Sequence, residues 1–517
     1  MSSTSLSSEV GFARPTGRAL VLVMVSLLLA LVPLQMDGLV AATAVPTIVG
    51  ELGGFAQIAW VATAYLLTMA IGTVLAGRIG DMLGRKPLHL AALVVFLGGS
   101  AWAGLASGMT EFVCARAVQG FGAGLALTTV IAIVADIAPP QDRAKYGGLL
   151  AAVAPVSMIA GPALGGVITD HLGWRWIFLL NLPLIAISIA VAAVAMHLPR
   201  GLAKGRVDVA GVVLASLGSA GVVLAAAWGG SQYSWDSAQV LLAGLVGVLA
   251  FVALVFVERL AEHPVLPPGL FSDRTVVACL VIMFCAMGAV LMGATNFVPV
   301  FQQLVQHQSA ASSGLLLLPL LLPAIALAVL SGQYLSRSGR FREVLLVGTA
   351  VLSAGCALLA TMGPATPAWL TSCYLVLAGA GLGLLFQTPL VLVQNTAPAE
   401  QVGAATGTAT YLRMLGGAIG VAALGALFTS MVGSSLATAA VPGLDATAVA
   451  SLTPGQLADL SPSAVTALGH AVSSGTSALF WVCVALGLVA LVAAACVPAR
   501  RAGAGSEAGV EAVPAGR

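Results

Sequence analysis

Asp37 is the residue of this chain best placed to do chemistry. It stands midway along the apolar run LQMDGLVAATAVP, with no other charge between Arg18 and Glu51. A carboxylate at the centre of a membrane helix costs about 2.5–3.5 kcal/mol on insertion scales, so a position that keeps one has a use. Facing a cavity, Asp37 can carry a proton, bind a cationic substrate, or do both in alternation; the competing use is a structural hydrogen bond to a neighbouring helix. Arg116 in FVCARAVQGFGAG is the one basic residue within its apolar run, and a snorkelling or purely structural Arg is its competing use. A buried guanidinium needs a partner or a ring of acceptors, and one near an acid tunes when that acid takes a proton. Arg413 in YLRMLGGAIG is more ambiguous, because it falls near one end of its run. Other polar side chains in apolar runs, Gln35, Asn181, Asn296 and Gln387, are candidates for a substrate cavity, with Tyr65 and Phe297 as aromatic lining. Trp174 and Trp176 read as an interfacial belt.

These side chains have to be held by something, and composition says what. Of 517 residues 59% are hydrophobic and only 8% charged, with a mean hydropathy of +1.04. That excludes an ordinary water-soluble fold and points to helices that satisfy their own backbone groups in a bilayer. Breaks in the apolar text predict fourteen spanning helices. All Lys and Arg except Arg116, Arg175 and Arg413 then fall on one side, which places both termini in the cytoplasm. The chain divides into a cytoplasmic tail (1–18), a six-helix bundle (19–198), two inserted helices (199–262), a second six-helix bundle (263–498) with an external loop at 432–477, and a tail (499–517). The run from about Ala19 to Val45 is too long for a cleavable signal.

Two charged turns support a duplication. GRIGDMLGRK carries Gly77, Asp81, Gly84, Arg85 and Lys86; 255 positions after Gly77, GQYLSRSGR carries Gly332, Arg337, Gly339 and Arg340. A basic turn alone is a topological anchor, whereas a repeated one at the same internal spacing predicts a latch between helices. Ser336 replaces the acid in the second copy, so the latches are expected to differ. In GPALGG, Pro162 kinks a helix while Gly161, Gly165 and Gly166 allow close backbone contact, as a seal between bundles requires. Other chemistries find no motif. No Lys precedes Ser or Thr, so there is no Walker A loop, and HExxH and GxSxG are absent. The seven cysteines show no CxxC spacing, giving no metal or disulfide framework. Without a continuous basic face, nucleic acid is not a partner.

The ordered set MDGLVAATAVPTI, GRIGDMLGRK, RAVQGFGAG, GPALGG, WRWIFLLNLP, PVLPPGLF and GAATGTATYLRMLGGAIGVAALGALF resembles the major facilitator superfamily, specifically its fourteen-helix drug:proton antiporters, from Leu20 to Phe428. The resemblance implies an all-α membrane protein of two six-helix bundles plus two inserted helices. It implies gating by Gly77, Asp81, Gly84, Arg85 and Lys86, and proton coupling through Arg116, Gln119 and Gly120. It also implies an exporter motif at Gly161, Pro162, Gly165 and Gly166. Leu39 stands where these antiporters commonly have Thr, which removes a pocket hydroxyl. The expectation is a monomeric, proton-driven exporter of amphipathic, cationic drugs in the cytoplasmic membrane, needing no cofactor beyond the proton gradient. The alternatives are a proton-coupled symporter of a small metabolite or a transport-inactive receptor.

Overall fold

The computed structural model describes residues 17–54, 57–137, 150, 153–196, 198, 209–230, 233–261, 266–398, 402–439 and 462–498. These residues form fourteen helices in chain order. The N-terminal half holds α1 (Gly17–Leu52), α2 (Trp60–Leu83), α3 (Arg85–Leu105), α4 (Met109–Ile137), α5 (Val153–Leu172) and α6 (Arg175–Ala195). Next come α7 (Val209–Trp228) and α8 (Ala238–Leu260). The C-terminal half holds α9 (Arg274–Leu304), α10 (Ala310–Leu315 continuing as Leu318–Ser338), α11 (Phe341–Ala360), α12 (Ala368–Leu385 continuing as Thr388–Thr396), α13 (Val402–Ala439) and α14 (Pro462–Cys496). Among the described residues twelve helices are long and apolar enough to cross a bilayer; α2 and α5, of 24 and 20 residues, are the other two.

Small residues set the packing inside each half. A Cβ on Gly120 would stand 2.2 Å from the Tyr65 carbonyl oxygen, and one on Gly124 2.1 Å from that of Met69, so α4 lies backbone to backbone on α2. On its other side Gly122 meets Phe96 of α3 at 2.5 Å. The C-terminal half repeats this sandwich. Gly379 and Gly383 of α12 close on Leu320 and Ala324 of α10 at 2.0 and 2.5 Å, and Gly381 on Leu352 of α11 at 2.4 Å. Bilayer lipid is as apolar as Leu, so van der Waals contact of this kind, more than a hydrophobic driving force, holds such helices together. The inserted helices pack on each other through Gly221 and Gly247. Helix α7 also touches α13, where Ser219 Oγ lies 2.6 Å from Tyr411 Oη.

The expected external loop at 432–477 is narrower than its composition suggested. Helix α13 continues to Ala439 and α14 already begins at Pro462; residues 440–461 lie outside the described residues. The Ser, Thr and Gly content of MVGSSLATA masks a helical face on which buried Val432 and Leu436 join Leu468, Ala471 and Val472 in one cluster. Trp174 also departs from expectation. It is 1% exposed, with Phe112 and Phe178 in edge-to-face contact at 5.4 and 6.2 Å, while Trp176 alone keeps the exposed position of a belt residue.

The turn between α2 and α3 is a single residue. Gly84 adopts φ 92° and ψ 148°, and its N–H closes α2 on the Gly80 carbonyl at 3.0 Å. Only Gly enters that region without strain, which elsewhere costs about 1–3 kcal/mol. Its counterpart Gly339 caps α10 at φ 64° and ψ 13°, a left-handed geometry that Asn tolerates. Gly84→Ala is therefore expected to lower the thermal midpoint of the purified protein measurably, and Gly339→Asn to leave it nearly unchanged. Equal midpoints for both would show that the Gly84 turn relaxes freely.

Candidate functional site

Asp37 and Arg116 meet. The side chains are 0% and 1% exposed, and Arg116 Nη1 donates directly to Asp37 Oδ2. Oδ1 accepts from Gln119 Nε2 at 2.7 Å and Asn181 Nδ2 at 3.3 Å. Helical spacing explains the convergence: Arg116 and Gln119, three residues apart on α4, share a face, and Arg116 Nη1 also donates to Gln119 Oε1. Gln119 Nε2 in turn donates to Ser100 Oγ of α3 at 2.7 Å. The remaining guanidinium surface is covered by the Val61 carbonyl, 3.4 Å from Nε, and by the Tyr65 ring, whose centroid is 4.2 Å from Cζ. Five helices, α1, α2, α3, α4 and α6, thus meet on one charge pair. Taking one partner from a buried pair costs about 3–5 kcal/mol, because the other is left uncompensated.

This placement corrects one expectation. The Asp37 carboxylate does not face a cavity; it is sealed inside the N-terminal half. The open side of α1 is one residue on, at Gly38, which is exposed and where an added Cβ would meet nothing within 4 Å. Tyr65 and Phe297 are buried as well, at 3% and 1% exposure. The first lies under Arg116, and the second packs on Phe428 at 5.4 Å between centroids. Asn181 belongs to the Asp37 cluster. Of the other cavity candidates, Gln387 is exposed and Gln35 and Asn296 are half-buried; Asn296 Nδ2 is bonded to the Met292 carbonyl at 2.8 Å.

The two halves touch along a seam near the face that carries Glu51. Gln303 of α9 donates to the Thr43 carbonyl of α1 at 2.9 Å and to Ser313 Oγ of α10 at 2.8 Å. Asp170 at the end of α5 accepts from the Ala311 N–H at 2.9 Å. Gly314 lies against α5 so closely that a Cβ would stand 2.0 Å from the Pro162 carbonyl oxygen. The GPALGG helix is thus fixed on both sides, because Gly165 sits against Val40 and Thr43 of α1 with 2.7 Å between its would-be Cβ and the Val40 oxygen. Gly161 meets Leu39 at 3.1 Å, and Gly166 is buried. At the Glu51 face Arg175, the basic residue outside the charge pattern, pairs with Glu51, which also accepts from Trp174 Nε1 at 2.7 Å. Sequence reading missed this clamp, although an acid ending α1 and a lone Arg outside the charge pattern were its signal.

At the opposite face, which carries Gly84, the described contacts of the charged turns stay within each half. Arg85 donates to the Ala132 carbonyl of α4, and Lys86 Nζ to the Ala193 carbonyl of α6 at 2.7 Å. Gly77 and Asp81 ride on the last turns of α2, with the Asp81 side chain outside the described residues, as is that of Ser336. In the second copy Gly332 and Arg337 are exposed, Arg340 pairs with Glu343 at 3.5 Å, and Arg342 donates to the Ala495 carbonyl at 3.2 Å.

Comparison with known proteins fits this architecture. The sequence profile described as Major Facilitator Superfamily matches residues 27–213 and 209–421. A Mycobacterium tuberculosis (strain ATCC 25618 / H37Rv) protein named as an uncharacterized MFS-type transporter is 38% identical over 77% of this chain; the match spans 58% of that protein's length. The multidrug transporter protein MdtP of Bacillus subtilis (strain 168) is 32% identical over 82% of this chain and 78% of its own. A crystal structure of a bacterial homologue of the human lysosomal transporter Spinster, inward-facing and unoccupied, superposes with a TM-score of 0.64 at 14% identity, covering 93% of this chain and 98% of that one. A bundle of paired helical halves, a charge pair sealed in one of them and a sequence profile that runs through both have one common source: the chain belongs to the Major Facilitator Superfamily.

Proposed function

We propose that this protein exports small amphipathic compounds across the cytoplasmic membrane, with both termini inside, in exchange for protons. The carrying observation is the sealed Asp37–Arg116 pair. A proton on Asp37 removes the negative charge that Arg116 faces and turns one acceptor oxygen into a donor. Arg116 then keeps the Val61 carbonyl, Gln119 and the Tyr65 and Phe178 rings but no counter-ion among them. The contact of α1 with α4 and α6 loosens, and because α1 also carries Thr43 at the seam, the change reaches the junction of the halves. Alternating access follows as rocking of α1–α6 against α9–α14 about the midplane. The drug cargo is supported by the relatives' names, among them MdtP and the multidrug resistance protein 3 of Bacillus subtilis. In the sealed conformation Asp37 offers its carboxylate to a proton-sensitive ion pair and not to a cationic substrate.

The membrane field adds about 2.3 kcal/mol per charge per 100 mV, so proton entry can drive export without ATP. In inverted vesicles, uptake of a fluorescent amphipathic dye is expected to stop when nigericin and valinomycin with potassium collapse the pH gradient and the potential together. Uptake that continues unchanged would remove proton coupling from this reading.

A further inference from the structure

One intramembrane charge has no part in the proton mechanism. Arg413 lies eleven residues into α13, counted from Val402, about 16 Å along the helix from the Gly84 face. It is half-buried, and among the described residues its guanidinium has neither a hydrogen bond nor an ion pair. An intramembrane cation without a partner marks a functional position.

Its direction follows from its neighbours on the helix. Tyr411, Leu415 and Ala418 pack toward α2 and α7. One turn beyond Arg413, Gly417 looks at Met292 of α9 and Leu66 of α2, with 3.0 and 3.6 Å from its would-be Cβ. Two turns before it, Thr406 accepts from Gln394 of α12 at 3.0 Å. Arg413 shares this face, so it is aimed between the halves and not at lipid. A second observation falls on the same spot. Helix α9 is π-helical from Met283 to Val290, the one such stretch among the described residues, and that stretch lies on Arg413: a Cβ on Gly288 would stand 2.6 Å from the Arg413 carbonyl oxygen. π-Helical turns are rare and concentrate at functional sites. Half-buried Phe284 and Met292 give the neighbouring wall an apolar surface.

We propose that Arg413 binds the anionic group of an amphipathic organic acid, a carboxylate or sulfonate whose ring or chain lies against Phe284 and Met292. Arg116 already has its carboxylate in Asp37, and among the described residues Arg413 has none, so the charge left there to be matched by a ligand is positive. The substrate class is then organic anions, or zwitterions with an exposed acid, instead of the cations expected from the sequence position of Asp37. This rests on the transport reading above for its biological use, but the binding claim is separable from it.

The test uses the full-length protein in phosphatidylcholine nanodiscs, titrated calorimetrically with 2-naphthoate, 2-naphthylmethanol and 2-naphthylmethylammonium, which share one ring system. Wild type is expected to prefer the naphthoate to the alcohol by about tenfold or more. Arg413→Gln should erase that preference with an unchanged unliganded melting point, and Arg413→Lys should retain part of it. Met292→Asp, which sets a carboxylate beside the same wall, should reverse the order in favour of the ammonium even if Arg413→Gln folds poorly. Equal naphthoate affinity in wild type and Arg413→Gln overturns the proposal, as does an unchanged order in Met292→Asp. Exchanging phosphatidylcholine for phosphatidylglycerol should leave naphthoate binding intact; its loss would hand the site to a lipid headgroup and overturn the substrate class. Direction of movement is measured separately in inverted vesicles, so a failure of the export reading leaves the binding order standing.

Discussion

An Asp37→Asn variant is expected to lose proton-driven accumulation by at least about tenfold, the effect of 1.4 kcal/mol, and to melt at a lower temperature than wild type. Both effects have one origin. The amide keeps the shape but cannot be charged, so Arg116, at 1% exposure, is left in the interior without its counter-ion. Losing one partner of such a pair costs about 3–5 kcal/mol, reduced here to the extent that the amide oxygen still accepts from Arg116. The decisive comparison is the double variant Asp37→Asn with Arg116→Gln. Removing both charges should restore much of the melting temperature while transport stays uncoupled, because no group in the cluster can then exchange a proton at the working pH. If the double variant regains gradient-driven transport, the pair is structural and the proton is carried elsewhere.

Gly314→Val is expected to hold the protein open at the Glu51 face. The obstacle is backbone against backbone: the added Cβ would lie 2.0 Å from the Pro162 carbonyl oxygen, and neither main chain can rotate out of the way as a side chain could. Overpacking of this kind costs about 1–3 kcal/mol, enough to move a two-state equilibrium between roughly fivefold and a hundredfold. With the native cysteines replaced by serine, a Ser313→Cys probe, whose side chain lies at the seam, should react with a thiol reagent confined to the Glu51 face much faster in the Gly314→Val background, and transport should fall. Unchanged labelling in a protein that melts normally would show that the halves part elsewhere.

The charged members of the site were legible because a charge in apolar text is conspicuous. Asp37 and Arg116 could be singled out one by one, and Gln119 through the helix 4 motif. Their pairing could not be read, because residues 79 positions apart meet only through the crossing of α1 and α4, which depends on where Gly120 and Gly124 let α2 approach. For the same reason the cavity expectation failed: a helix with Asp37 on one side and Gly38 on the next has two environments within a rotation of about 100°. The duplicated turns were visible at an offset of 255, whereas the duplicated sandwich of α4 and α12 sits 259 apart, Gly120 to Gly379, and a fixed offset passes over it. The π-helical stretch MFCAMGAV has the composition of any apolar helix. Its form is set by contact with α13, which no local pattern records.

The seam at the Glu51 face bears on the balance between the two states of the proposed exchange. Its described polar contacts are a glutamine shared between α1 and α10 and one carboxylate on a backbone N–H, beside a glycine against a carbonyl. Each hydrogen bond is worth about 1 kcal/mol net, so these bonds together favour closure by a factor on the order of a hundred. A ligand that distinguishes the states by a few kcal/mol can therefore invert their occupancy, and one that binds both equally shifts nothing however tight it is. Under the proposed exchange, turnover is governed by small differences in affinity between the two faces, and a compound that stabilises only one of them is expected to inhibit regardless of its chemical likeness to the cargo.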